Sequence, residues 1–185
     1  MGALVCTEFG DPVLRRVSRH LTIDEIISSK VQELITDMHF TLTDKKLGVG
    51  LAANQVGQRH AVAVINIQKT ELRPELEPFK LTIINPKIIR TFGNREQMWE
   101  GCISSGSGGA GLFAKVPRYK KIQLEYCDEK ANFHSETFKG LQAHVIQHEV
   151  DHLNGVLFVD RVSDTKTYMT HKEYKRMKGI DNDIK

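Results

Sequence analysis

The stretch "QHEVDHLNG" at 147–155 restricts this chain more than any other: two histidines stand four apart, with a glutamate directly after the first. Residues 139–153 follow a helical pattern, and Asn154-Gly155 is a helix stop. On a helix, positions i and i+4 share a face, roughly 6 Å apart along the axis. His148 and His152 can therefore converge on one metal ion. Glu149 is turned about 100° from His148, so it flanks the ion and can hold a water. A metal lowers the pKa of its water toward about 7, and the carboxylate takes the proton. The competing reading is an ordinary helix face that carries histidines, and the rest of the sequence has to decide.

His144 precedes His148 by four, which puts three histidines along one face. His144 and His152 are roughly 12 Å apart along the axis, too far for one ion with bonds of about 2.0–2.1 Å. His144 reads as a pocket-wall or packing residue. A catalytic site of this type wants three protein ligands and one open position. A third histidine six after His152 is excluded, because that residue is Phe158. Glu173 is a formal possibility within a Lys-rich polar segment. Cys102 in "WEGCIS" is the other, at a strand end beside a Gly-rich loop.

At 185 residues the chain is expected to be a single domain with room for a real core. A hydrophobic content of 40% and a charged content of 26% exclude disordered and fibrous classes. The net charge of +3 tolerates an anionic partner without demanding one, and direct DNA binding is not expected. No apolar run approaches the roughly 20 residues of a membrane span, and "MGALVCTEFG" fits neither a signal peptide nor a myristoylation site. Cys6, Cys102 and Cys127 are odd in number and widely spaced, so reduced thiols in a cytoplasmic protein are expected.

Along the chain, residues 22–46 read as one amphipathic helix with Thr22 or Asp24 as cap. "LGVGLAANQVGQ" reads as a loop or irregular strand, and "HAVAVINI" and "LTIINPKII" as strands. A polar loop, "KTELRPELEPF", lies between those strands. The Ser/Gly stretch from Ser104 to Gly111 reads as a flexible loop near a site. "VPRYKKIQLEYCD" and "FHSETF" read as strands joined by "DEKAN", and the basic end of the chain as a short surface helix with a frayed end.

Three stretches, "GVGLAANQ" (48–55), "EGCIS" (100–104) and "QHEVDHLNG" (147–155), resemble in order and spacing the three signature motifs of the peptide deformylase family. "GDPVLRRVS" and "GLQAHVIQHE" are similar to it as well, and the resemblance covers about residues 8 to 162. It implies an α+β fold with antiparallel strands around a central helix that carries the two histidines. It implies a catalytic domain over 1–165, followed by a polar basic tail over 166–185. The activity implied is removal of the formyl group from the N-terminal formyl-methionine of new polypeptides, with release of formate.

By the match, Cys102, His148 and His152 are the metal ligands and Glu149 the acid/base. The ion implied is Fe²⁺, replaceable by Zn²⁺, Ni²⁺ or Co²⁺. The Gln55 amide and the Ile103 backbone N–H are implied as oxyanion donors. Val49, Gly50 and Gly101 are implied to pair with an extended peptide, and Leu141, His144 and Val145 to line the methionine pocket. Arg118 in "VPR" is either a substrate contact or a structural ion-pairing residue. Contact with a ribosomal surface through Lys172, Lys175, Arg176 and Lys178 is a further expectation.

Two departures from the family pattern stand out. "SGSGGAGLFAK" is about four residues longer than usual and lacks an arginine common there. His144 stands where an apolar residue is usual, so a weakened or altered methionine preference is expected. Two rivals follow: a peptidase built on His148, His152 and Glu173, and a relative with a closed or altered cleft (104–115) that only binds peptide.

Overall fold

In the computed structural model, the described residues are 2–44, 48–69, 77–106 and 111–179. Strand β2 (Val62–Ile67) shows how the fold is layered. Its sequence VAVINI has almost no polar face, which is the pattern of a strand covered on both sides. Ala63, Ile65 and Ile67 pack in one core cluster with Ala143, Ile146 and Val150. Val62 and Val64 point the other way, into a second cluster with Val31, Ile35 and Met38. The second cluster includes residues of α2 (Ser29–Asp44), and the first is built on α3 (Gly140–Leu153).

The sheet is antiparallel throughout, in the order β1 (Gly50–Ala52), β2, β3 (Phe79–Gly101), β4 (Leu112–Cys127), β5 (Phe133–Lys139). A short β6 (Met169–Thr170) pairs with the start of β4 and leads into α4 (His171–Met177). This is the expected α+β arrangement, with α3 enclosed by strands. Every residue of α3 from Ala143 to Leu153 is buried. A helix buried all round must find a partner for each polar side chain it carries.

Three readings change. The expected single helix over 22–46 is two: α1 (Ile23–Ile27), capped by Thr22 with Glu25 in a reciprocal capping box, and then α2. Ser28 breaks it: its backbone is extended, and its Oγ accepts from Val31 N at 3.4 Å. Serine offers the backbone that local alternative to a continuous helix. Ile27, counted toward the apolar face, is 56% exposed.

"LTIINPKII" does not end as a separate strand but runs on through "TFGNREQMWEG" as the 23-residue β3. Three register shifts against β4 absorb its irregular residues. One lies at Asn85-Pro86, where Asn85 adopts φ 52° and its side chain binds Leu21 through both amide atoms. The longer loop taken as 104–115 is also shorter than read, because Leu112–Lys115 already belongs to β4, while the Ser/Gly stretch ends at Gly111 just before it. Its centre, 107–110, most of the polar loop at 69–79, and the C-terminal end expected to fray lie outside the described residues.

Candidate metal centre

Three elements meet at the site. α3 carries His148 and His152 on one face, Cys102 follows directly on β3, and a 3-10 turn over Ala53–Val56 after β1 brings Gln55. Cys102 Sγ lies 3.2 Å from His152 Nε2, and His152 Nε2 lies 3.2 Å from His148 Nε2. Among the described residues, Cys102, His148 and His152 form a group whose ligand atoms all lie within 4.8 Å of one another. A tetrahedral ion with bonds of about 2.0–2.1 Å to nitrogen holds two such atoms roughly 3.3 Å apart. The spacing of this group therefore fits one divalent ion. A thiolate with two neutral imidazoles is a donor set suited to zinc or iron.

His148 is oriented for that duty. Its Nδ1 faces a Glu100 carboxylate oxygen at 2.9 Å, which places the proton on Nδ1 and leaves the Nε2 lone pair toward His152 and Cys102. The end of α3 is pinned by Asn54, whose Nδ2 donates to the His152 backbone oxygen at 2.5 Å.

Glu100 is the hub of a buried ion network. One of its carboxylate oxygens accepts from Arg118 Nε at 2.6 Å and faces His144 Nε2 at 2.8 Å; the other accepts from Arg118 Nη2 at 3.0 Å and faces His148. Arg118 Nη1 reaches Asp151 at 2.5 Å, and Arg161 holds Asp151 through Nε and Nη2. Burial alone would raise the Glu100 pKa. Its donors His144, His148 and Arg118 outweigh that and hold the carboxyl well below its ordinary value.

Glu149 differs. It is 2% exposed, its Oε2 has no hydrogen-bond partner among the described residues, and burial pushes its pKa up to about 7. A carboxyl poised there can both take and return a proton near neutral pH. Gln55 is also buried. Its Oε1 accepts from Ala52 N at 2.8 Å, and its Nε2 faces Cys102 Sγ at 3.4 Å and Ser104 Oγ at 3.2 Å.

Other expected site residues fall as follows. Gly50 belongs to β1, the first strand in the sheet order, whose backbone pairs on one side with β2. Val49 accepts from Asn66 N at 3.0 Å, Ile103 opens a 3-10 turn, and Gly101 is the last residue of β3, opposite Phe113. Val145 is buried in the core with Leu141 and Val49 packed around it, and Leu141 also edges a cleft of about 250 Å³ with Ile67 and Phe79.

Two of these residues have buried ionic partners. Of the two readings of Arg118, the ion-pairing one is present: it is 4% exposed and its guanidinium is committed to Glu100 and Asp151. His144 is buried, and its Nε2 is engaged by Glu100. Glu173 is exposed on α4, paired with Arg176 at 3.6 Å, outside the Cys102 group.

Sequence reasoning passed over Glu100, Asp151, Arg161 and Asn54 as functional. The available signal was the carboxylates themselves: Asp151 lies within the histidine motif and Glu100 two before the cysteine. Buried acids in those places require cations.

The chain is similar to known proteins over most of its length. The family model for polypeptide deformylase matches residues 4–168. Peptide deformylase 2 of Nostoc sp. is 34% identical over 173 residues, covering 92% of both chains. The solved structure of a peptide deformylase from Synechococcus elongatus in complex with actinonin superposes with a TM-score of 0.74 at 37% identity, covering 97% of this chain and 87% of that one. A class I type b peptide deformylase from Acinetobacter baumannii with bound Met-Ala-Ser gives a TM-score of 0.79 at 27% identity, covering 86% of this chain and 98% of the other. With two histidines of a buried helix meeting a cysteine from the end of β3, and matches of this extent, the chain belongs to the peptide deformylase family.

Proposed function

We propose that Cys102, His148 and His152 hold one divalent ion, and that Glu149 moves the proton as the formyl amide at a peptide N terminus is hydrolysed. The chain is a metal-dependent peptide deformylase. The observation that carries the residue assignment is the convergence of the Cys102, His148 and His152 ligand atoms beside a buried Glu149.

A bound ion supplies Lewis-acid polarisation of the formyl oxygen and activates water. The chain's own residues do the rest. Glu149 accepts the proton of the attacking water as its oxygen bonds to the formyl carbon. The C–N bond then breaks, Glu149 returns the proton to the departing amine, and formate and a free N-terminus leave. Gln55 Nε2 donates to the developing oxyanion, with the Ile103 N–H as second donor; the approach of Gln55 Nε2 to Cys102 Sγ at 3.4 Å supports this. β1 and the preceding Val49, with Gly101 opposite, receive the extended peptide by strand addition; the pairing of β1 with β2 alone among the described residues supports this. Leu141 and Val145 accommodate the methionine side chain.

The native ion is read as Fe²⁺, with Zn²⁺, Ni²⁺ or Co²⁺ able to substitute, on the softness of the donor set. The free Cys102 thiol suits a reducing compartment, the cytoplasm. No helix among the described residues is long and apolar enough to cross a membrane. The substrates are N-formylated nascent peptides, and the cations of α4 and its end, exposed Lys172, Arg176 and Lys178 with half-buried Lys175, are read as a ribosome-facing patch. Residues 1–165 are read as the catalytic domain and 166–185 as its tail. Part of that tail, Met169–Met177, lies against the domain through β6 and the stacking of Tyr174 on Phe113 at 4.2 Å.

The test is formate release from a formyl-Met peptide by metal-loaded protein, beside Glu149→Ala carrying the same metal. Release by the wild type that the variant loses supports the assignment. Equal release by both removes Glu149 from the chemistry.

A further inference from the structure

His144 and His148 lie one helical turn apart on α3, and both reach the same carboxylate, each on a different oxygen: His144 Nε2 to Glu100 Oε1 at 2.8 Å, His148 Nδ1 to Glu100 Oε2 at 2.9 Å. Arg118 takes the remaining place on each oxygen, Nε at 2.6 Å and Nη2 at 3.0 Å. A carboxylate has about four lone-pair sites, and here all four are filled by nitrogen partners. All members are buried, with side chains of Glu100, Arg118 and His144 exposed by 3%, 5% and 9%. A buried carboxylate so filled has one orientation, and that orientation fixes the ring of His148.

Resting on the metal-centre reading above, we propose that His144 is a positioning residue for that centre, fixing through Glu100 the ring of the ligand His148. The three histidines of α3 then form a relay of position. His144 holds Glu100, Glu100 holds His148, and His148 with His152 faces Cys102.

Removing the His144 donor leaves Glu100 Oε1 with Arg118 Nε alone. The carboxylate can then turn about its last bond, and the His148 ring loses its fixed plane. Partners of metal-ligating histidines typically change metal affinity by 10–100-fold when mutated. An effect passed through Glu100 belongs at the low end of that range. A residue serving only as pocket wall would instead alter the choice of first residue and leave the metal alone.

The experiment uses full-length protein loaded with Co²⁺, comparing wild type, His144→Leu and His144→Gln. The Gln side chain restores an N–H donor at about the reach of Nε2. The readouts are the visible cobalt spectrum, the rate of Co²⁺ loss to excess chelator, and the ratio of deformylation rates for formyl-Met and formyl-Ala peptides. The expected result is shifted d–d bands and about tenfold faster Co²⁺ loss in His144→Leu, both restored to within about twofold in His144→Gln. The substrate ratio should not move. His144→Met, which fills a similar volume, replaces the Leu variant if the latter does not fold. Unchanged spectrum and Co²⁺ loss in the apolar variant, with a changed substrate ratio, would overturn the proposal. Cys102→Ala separates the two readings. If the wild type shows no thiolate-to-cobalt band for Cys102→Ala to remove, the metal reading itself fails and the role of His144 falls with it.

Discussion

A Cβ atom on Gly50 would overlap the carboxylate of Glu149, its Cδ lying 2.7 Å from the ideal Cβ position. The edge strand and the proton-transferring helix thus approach each other closely enough that only glycine fits at 50. The prediction is that Gly50→Ala pushes Glu149 aside. A misplacement of about 1 Å at a reacting group can cost on the order of 10²-fold in rate. Deformylation kinetics and metal analysis should therefore show kcat/KM down by about that factor, with metal still at one per chain.

Burial raises the Glu149 pKa from its ordinary 4.5 to about 7. Between those values the folded protein holds this proton and the unfolded chain does not, so stability falls as pH rises through that window. The contribution is fully present below 4.5 and is lost by about 7, on the order of 3 kcal/mol. Urea unfolding of metal-free protein from pH 4.5 to 7.5 should show the decline. Glu149→Gln, with no proton to lose, should show a flatter profile by that amount.

Arg118 is paired with both Glu100 and Asp151 in the interior. Arg118→Met should therefore leave two buried acids short of a cation and cost about 3–5 kcal/mol in denaturant unfolding. The exposed pair Arg15 and Asp160 provides the contrast. Breaking it with Arg15→Met should change stability by no more than about 1 kcal/mol.

The Phe113 ring lies against Gly101, 2.5 Å from the ideal Cβ position of that glycine, and Tyr174 of α4 stacks on Phe113 at 4.2 Å. The end of the chain thereby supports the residue before Cys102. Tyr174→Ala should lower stability by about 1–3 kcal/mol and kcat/KM by several-fold. Unfolding and peptide kinetics check both; a change in stability alone would limit α4 to a structural part.

Spacing made the histidine helix legible, because i and i+4 on a helix have one geometric meaning. The strand at 62–67 was legible because a continuous apolar run of that length has few alternatives. The break at Ser28 was hidden, since the apolar period runs straight across it. The length of β3 was hidden because the apolar run ends at Ile89 and Gly93 is an ordinary breaker residue, whereas a register shift between Phe92 and Arg95 absorbs it. The functional share of Glu100, Asp151 and Arg118 could not be read locally: their pairing joins β3, β4 and α3 across 18 and 33 residues. The partner of His144 was hidden for the same reason. Spacing placed His144 correctly one turn before His148, but its partner comes from another strand.

X-ray absorption at the metal edge of the loaded protein tests the central claim most directly. A Cys102, His148, His152 centre predicts one sulfur at about 2.3 Å and two imidazole nitrogens at about 2.0–2.1 Å, with the sulfur shell lost in Cys102→Ser. Two nitrogens with carboxylate oxygen and no sulfur in the wild type would contradict it.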